Sequence, residues 1–500
     1  MGHGVKPVPA DWRVLPYRRM PPATEAGSGR LLRKLGAVDG ALITVGSIVG
    51  TGIFITTGDM AKVLPHAGLI LGIWVLGGLL TLAGALTYGE LGALFPRAGG
   101  IYHFLKEAYG PLWGFLYGWT SFLVIMSGGI AAIAVGFGEY LGSFWPAAST
   151  GHVLLAVPLG GWTWRLTGGQ VAAAAAIALL TAVNYLGLKE GAWVQNFFTA
   201  LKIGSIVAFA ALGLARPAPV AGALTAPLPA AGGAGSPAGM LWAAAGIAMI
   251  ATLWTYDGWY NLTFEAGEMR DPGRSLPLGL IAGTLAVTGL YTLLNLVYAR
   301  ALPVAAMAHT SRIGEAAAAA LFGPTGARLV SAAILVSTFG CLSSNILCCS
   351  RIYLPMAEDG LFFRSVASVH PRYRTPGRAL WAQGAWSMIL ALSGTYEQLY
   401  TYVVFAGVLF HVATGAAVFA LRRSRPDAPR PYRAWGYPVV PALFILASLA
   451  LVGNTLIEKP REALIGLGFL ALGLPAYAYW RRQSRGADGP GARKRTPDLE

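Results

Sequence analysis

The 500 residues are 55% hydrophobic and only 12% charged, with a mean hydropathy of +0.56. A soluble domain carries roughly a quarter charged residues, so that class is excluded. The apolar runs are rich in Ala and Gly instead of alternating, which excludes an outer-membrane barrel, and the net charge of +15 takes its meaning from where the basic residues lie.

Residues 1–37 are polar and basic, contain Pro7, Pro9, Pro16, Pro21 and Pro22, and hold no apolar signal-peptide core; they read as a tail. Apolar segments long enough to cross a bilayer follow near 38–64, 67–95, 108–146, 168–187, 193–215, 239–265, 277–301, 327–358, 377–393, 397–421, 437–457 and 462–480. These describe an all-α polytopic membrane protein of twelve spans. The third segment is long enough to tilt or to run on beyond the bilayer. A stretch rich in Ala, Pro and Gly at 216–238 links a first half, 38–215, to a second, 239–421; two further spans occupy 437–480, and 481–500 form a second basic tail. An even span count puts both tails on one side. That side collects 28 of the 37 Lys and Arg residues, the other side 8, and Lys202 lies inside a span. The positive-inside rule then places both termini in the cytoplasm, in a bacterial inner membrane. The basic residues serve topology and lipid headgroups, and no nucleic-acid partner is expected. Cys341, Cys348 and Cys349 are the only cysteines, in or near the eighth span. No loop cysteine is available for a disulfide to a partner subunit, and no His at ligand spacing suggests a metal.

The first span contains Val45-Gly46-Ser47-Ile48-Val49-Gly50-Thr51-Gly52-Ile53-Phe54. Gly50-Thr51-Gly52 is expected to interrupt the helix. In hydrocarbon an unsatisfied backbone group costs several kcal/mol, so a break survives only beside a cavity or ligand; the competing reading is a glycine pair for close helix packing. The sixth span contains Leu253-Trp254-Thr255-Tyr256-Asp257-Gly258-Trp259-Tyr260-Asn261. A carboxylate inside a span marks function by default, although a helix already at the interface would leave Asp257 solvated. Two breaks five spans apart, entered from opposite sides, are the pattern of inverted repeats with discontinuous first helices and a midplane site. The N–H groups of Thr51, Gly52 and Ile53 are then placed for an anion. The carbonyls of Ile48, Trp254, Thr255 and Asp257 are placed for a cation. A ligand bearing both carboxylate and ammonium, an α-amino acid, fits.

These residues resemble a known family. Val45 to Phe54 is similar to the first-helix motif of amino acid–polyamine–organocation transporters. Tyr256 to Leu262, with Glu265 and Glu268-Met269-Arg270-Asp271-Pro272-Gly273-Arg274-Ser275-Leu276-Pro277, resembles the sixth-helix signature of the L-type amino acid transporter branch. Gly89-Glu90-Leu91-Gly92, Phe95-Pro96-Arg97-Ala98-Gly99-Gly100 and Tyr102 resemble the junction of the second and third helices. Ser343-Ser344-Asn345 and Ser350-Arg351 resemble the eighth helix. The similarity runs over about residues 35–480. It implies two inverted five-helix repeats (LeuT-like) plus two C-terminal helices, and amino acid transport by alternating access without a cofactor. Substrate-binding positions carry onto Ile48, Val49, Gly50, Thr51, Gly52 and Ile53, and onto Trp254, Thr255, Asp257 and Gly258. Trp254 takes the place of a bulky aromatic gate, commonly Phe. Tyr102, Ser344 and Asn345 enter as secondary candidates. Lys202, about 13 Å into the fifth span, falls near the place where sodium-coupled relatives of this fold hold a cation; the resemblance implies sodium-independent transport, against a lysine snorkelling to the interface.

Glu90 reads as a partner for a loop arginine or part of an inner gate, Glu139 as a solvated group, and His411 as a structural histidine or a carrier of a coupling proton. The sequon Asn261-Leu262-Thr263 is discounted because it lies within or at the end of a span. No Walker A string supports ATP drive. Scattered Glu90, Asp257 and His411 do not make an enzyme's convergent set. The reading is a secondary transporter, an exchanger or uniporter-like carrier favouring neutral amino acids; proton-coupled carriage of cationic amino acids or polyamines, and an amino acid sensor without flux, stay open.

Overall fold

The computed structural model describes residues 33–487 apart from 160–161, 187–190, 221, 223–236, 369, 371–372 and 374. Most of both basic tails and of the 216–238 linker therefore lies outside the described residues.

Helix occupies each of the twelve apolar segments. The first is broken: α1 (Ala37–Ile48) ends, a 3-10 turn covers Gly52–Phe54, and α2 (Thr56–Val63) resumes. Then come α3 (Ala67–Leu94), the short α4 (Ile101–Tyr109) and α5 (Pro111–Thr120). A single π turn at Ser121–Ile125 joins α5 to α6 (Met126–Leu141). The segment expected to begin near 108 is thus cut at Gly110, whose φ of +100° suits glycine, and Pro111 starts the new helix.

An antiparallel hairpin, β1 (Val153–Leu159) and β2 (Trp162–Thr167), precedes α7 (Gly168–Tyr185). It was not legible as strands in the sequence. Next are α8 (Gly191–Ala215), α9 (Pro237–Tyr256), a 3-10 stretch at Asn261–Glu268, α10 (Pro272–Ala301) and the short α11 (Val304–Ala308). The eighth span starts earlier than 327: α12 (Ile313–Cys349) bends at Gly323 (φ +73°), just before Pro324, and is followed by α13 (Tyr353–Glu358). The chain ends with α14 (Gly377–Ser393), α15 (Tyr396–Ser424), α16 (Val439–Glu458) and α17 (Pro460–Ala487). Among the described residues eight helices are long and apolar enough to cross a membrane; the broken α1 falls short by itself.

Three contacts set the frame around the breaks. α10 packs along both α1 and α3, and α8 packs against α1 and α12. Trp74, Tyr256 and Tyr291, all fully buried, form an aromatic triangle with ring centroids 5.2–6.0 Å apart. The chain entering α1 is pinned to the segment after the second break: Lys34 and Leu35 N–H groups donate to Glu268 O, and Arg270 N–H donates to Leu35 O. From α12's end Arg351 reaches the same segment, 2.8 Å from Glu268 Oε1 and 3.8 Å from Glu265 Oε1.

Glu90, expected to pair with a loop arginine or to gate, is a pairing residue. Its buried carboxylate accepts from Arg422 (2.6 Å) and the Ala434 N–H (2.7 Å), and lies 3.3 Å from Arg430. A buried carboxylate needs that many partners, and the cluster ties α3 to α15.

Candidate functional site

α1 cannot continue past Ile48. Val49 is extended (ψ 93°), and its N–H makes the last helical bond, to Val45 O. The N–H groups of Gly50, Thr51, Gly52 and Ile53 find no backbone acceptor among the described residues until Phe54 N–H donates to Thr51 O. The second helix runs to Tyr256 and unwinds at Asp257–Tyr260, where Gly258 has φ +94°. Each break packs on the other. A Cβ on Gly258 would come within 2.9 Å of Ser47 O, and one on Gly52 within 2.7 Å of Thr255 Oγ1. Only glycine lets the two backbones approach this closely.

Both breaks open on one cavity, with about 450 Å³ of empty space. Ser47, Ile48, Gly50, Thr51 and Gly52 line it from the first break, and Trp254, Thr255, Asp257 and Asn261 from the second. Ile125, Met126, Gly129, Ile130 and Ile133 form an apolar wall, while Cys341, Asn345 and Cys349 come from α12. Of the residues expected from the sequence, Ile48, Gly50, Thr51, Gly52, Trp254, Thr255, Asp257 and Asn345 meet here. Val49 and Ile53 are fully buried away from the cavity wall, since the break turns their side chains into the core, and Gly258 stands behind it against Ser47. Ser344 is buried on α12 but is not part of the wall. Tyr102 is elsewhere: its hydroxyl donates to Asp359 Oδ2 at 2.5 Å, beside Lys106 on the same carboxylate. Burial and that hydrogen bond push the Tyr102 phenol well above its ordinary pKa, so it stays a donor.

Trp254 lines the cavity. Its Nε1 donates to Tyr396 OH (2.8 Å), its ring stacks on Tyr400 at 6.0 Å, and Tyr400 OH reaches Asp59 at 3.4 Å. Lys202 is 2% exposed, and its Nζ donates to Gly46 O at 3.0 Å. That carbonyl belongs to the last turn of α1 and has lost its helical partner to the break.

Tyr291 was missed by sequence reasoning. Fully buried on α10, it places its hydroxyl 3.2 Å from both Ile48 O and Thr255 O, the carbonyls that end the two interrupted helices. No motif flags it; only folding brings it between the breaks. Tyr291→Phe keeps the ring packing and removes that bridge. Uptake normalised to protein in the membrane is expected to fall about tenfold, the effect of a buried hydrogen bond worth roughly 1.5 kcal/mol; an unchanged initial rate would sink the assignment.

A family model for the amino acid permeases matches residues 35–467. The chain belongs to the amino acid permease family. The serine/threonine exchanger SteT of Bacillus subtilis (strain 168) is 31% identical over 454 residues, 89% of this chain and 96% of the relative. The human b(0,+)-type amino acid transporter 1 is 31% identical over 460 residues, 89% and 88% of the two chains. The human large neutral amino acids transporter small subunit 2 is 28% identical over 473 residues, 92% and 84%. These are transporters and not enzymes, as the sequence led us to expect, and the helix breaks fall within the matched region.

Two charged or titratable groups outside the cavity are now placed. Glu139, expected to be solvated, is instead held: Thr150 and Ser311 hydroxyls donate to its two oxygens and Arg312 lies 4.0 Å away. Thr150 comes from the loop after α6, and Ser311 and Arg312 from the loop before α12. His411 shares a hydrogen bond with Tyr88 OH (2.7 Å) and lines a second cavity, of about 420 Å³, that also touches Asp257.

Proposed function

We propose that the chain is a sodium-independent secondary carrier of amino acids, neutral ones foremost, working as an exchanger or uniporter-like carrier by alternating access at this cavity. The observation that carries the reading is the meeting of two helix breaks on one cavity, with N–H groups that lack a backbone acceptor on one side and carbonyls and a carboxylate on the other. The substrate carboxylate takes the N–H groups of Thr51, Gly52 and Ile53, where the restarting helix offers its positive end. The α-ammonium faces the carbonyl ends of α1 and α9 and Asp257. Binding draws the two breaks together, and that differential affinity drives occlusion.

In this reading residues 38–215 and 239–421 are the two inverted repeats. The bundle of α1–α2, α3, α9 and α10 rocks against the rest, with Trp254 as the gate on the extracytoplasmic side. Both termini are cytoplasmic, and the membrane is a bacterial inner membrane. The Lys202 ammonium at the C-terminal end of α1 supplies a fixed cation, which supports sodium independence. The wall carries one ionisable acid and no basic side chain, which favours a neutral side chain balanced by the α-ammonium. The named substrates of SteT and of the large neutral amino acids transporter agree with that preference. Exchange is supported by the same bacterial relative. With all three cysteines buried, no disulfide-linked partner subunit is invoked.

A second reading is favoured by Asp257, which stands between the two cavities: a cationic side chain could face it there, with His411 carrying a coupling proton. The test is uptake of labelled serine, leucine and arginine by the purified chain in liposomes, in choline or sodium, with and without internal amino acid. Uptake in choline, stimulated by internal substrate, is expected. A sodium requirement refutes the proposed drive, arginine uptake that follows a pH gradient favours the second reading, and binding without flux would make the chain a sensor.

A further inference from the structure

We propose that Asn261, oriented by Asn345, reads the substrate's side chain through a hydrogen bond and selects amino acids whose side chain carries a hydroxyl or amide donor. This rests on the carrier reading above and names the specificity residue of the same cavity.

The amide geometry carries the inference. Asn345 Nδ2 donates to Cys341 O, one helical turn back on α12, at 2.9 Å. That bond turns the Asn345 Oδ1 towards the second break, where it accepts from Asn261 Nδ2 at 3.1 Å. A primary amide has one acceptor and one donor end, so these two bonds settle which way both side chains face. They leave Asn261 Oδ1 as a buried acceptor with no donor among the described residues, on a side chain 2% exposed that lines the cavity. Ser47 Oγ, on α1 in the same lining, is likewise buried without a partner among the described residues.

Buried polar atoms inside a membrane protein are normally satisfied, so an orphan acceptor held rigidly in a ligand cavity marks where a ligand donor belongs. Ile130 and Ile133, also in the lining, have nothing to bond. A substrate hydroxyl or amide that donates to Asn261 Oδ1 satisfies this orphan. An apolar side chain of equal size desolvates Asn261 Oδ1 and returns nothing. Sites built to bond a hydroxyl reject the analogue lacking it far more strongly than apolar pockets reject a changed methyl group.

Threonine and valine isolate this effect because their shapes nearly coincide. In liposomes containing the full chain, unlabelled threonine is expected to inhibit labelled serine uptake at about a tenth of the valine concentration. Asn261→Leu should bring the two within about twofold, and Asn345→Ala, which frees the Asn261 amide to turn, should narrow the ratio part-way. If Asn261→Leu does not reach the membrane, the wild-type ratio and Asn345→Ala decide. Equal inhibition by threonine and valine in the wild type, or an unchanged ratio in Asn261→Leu, overturns the assignment and leaves the carrier reading standing. Absence of uptake and binding for labelled serine, leucine and arginine alike overturns the carrier reading itself.

Discussion

Lys202→Ala is expected to leave the amount of protein in the membrane near that of the wild type and to cut amino acid uptake by roughly tenfold to a hundredfold. The wild-type ammonium donates to Gly46 O at 3.0 Å from α8, inside the fold. Gly46 would give its carbonyl to residue 50 if α1 continued; the break removes that partner, and Lys202 replaces it. The helix C-terminus also carries partial negative charge, so a cation is favoured there. A hydrogen bond to a charged group contributes about 1.5–3 kcal/mol, and a change of that size in the balance between carrier conformations is a factor of roughly ten to a hundred. The readout is initial uptake in liposomes divided by protein recovered. Normal flux in this variant would refute the role, and a collapse in protein yield would make Lys202 a folding residue.

The second large effect is expected at Gly52. A side chain there starts with a Cβ 2.7 Å from Thr255 Oγ1, 2.9 Å from Thr255 Cγ2 and 3.0 Å from Thr255 Cα. The methyl and hydroxyl ends could rotate, but the Cα is backbone of the opposing break and cannot. The Thr56–Thr255 hydroxyl contact of 2.8 Å sits at the same place. Gly52→Val should therefore abolish uptake. Gly50→Ala should cost less, because its Cβ meets only the Cys341 sulfur, at 3.1 Å; bulky residues at Gly50 should still block the cavity it lines. Thr51→Ala, which preserves the N–H, should keep most of the activity. Uptake by Gly52→Val close to the wild-type rate would mean that the two breaks do not need this approach for transport.

Much of the architecture was legible before folding was considered. Twelve apolar segments announced themselves because burial in lipid demands long runs of apolar residues. Gly50-Thr51-Gly52 and Asp257-Gly258 announced the breaks because only permissive backbone and polar side chains tolerate unwinding. The hairpin at Val153–Thr167 did not: its first strand, Val-Leu-Leu-Ala-Val-Pro-Leu, has no alternation, and the alternating Trp-Thr-Trp-Arg-Leu-Thr of the second had no recognisable partner along the chain. The eighth segment was expected from about 327, whereas α12 begins at Ile313 and bends at Gly323, next to Pro324. Glu139 looked solvated because its partners Ser311 and Arg312 are more than 170 positions away and Thr150 reaches it only by the fold of the intervening loop.

What the amino-acid order determined alone was local: where the apolar helices run and where the first and sixth of them break. The tertiary structure decided which groups answer those breaks. Gly46 O found Lys202, the ends of α1 and α9 found one hydroxyl of Tyr291, and Asn261 found Asn345 while keeping an acceptor free. Such pairings join residues some 36–243 positions apart. Helix periodicity reaches only three or four residues along a chain, whereas a hydrogen bond requires atoms within about 3 Å, a condition that packing alone imposes.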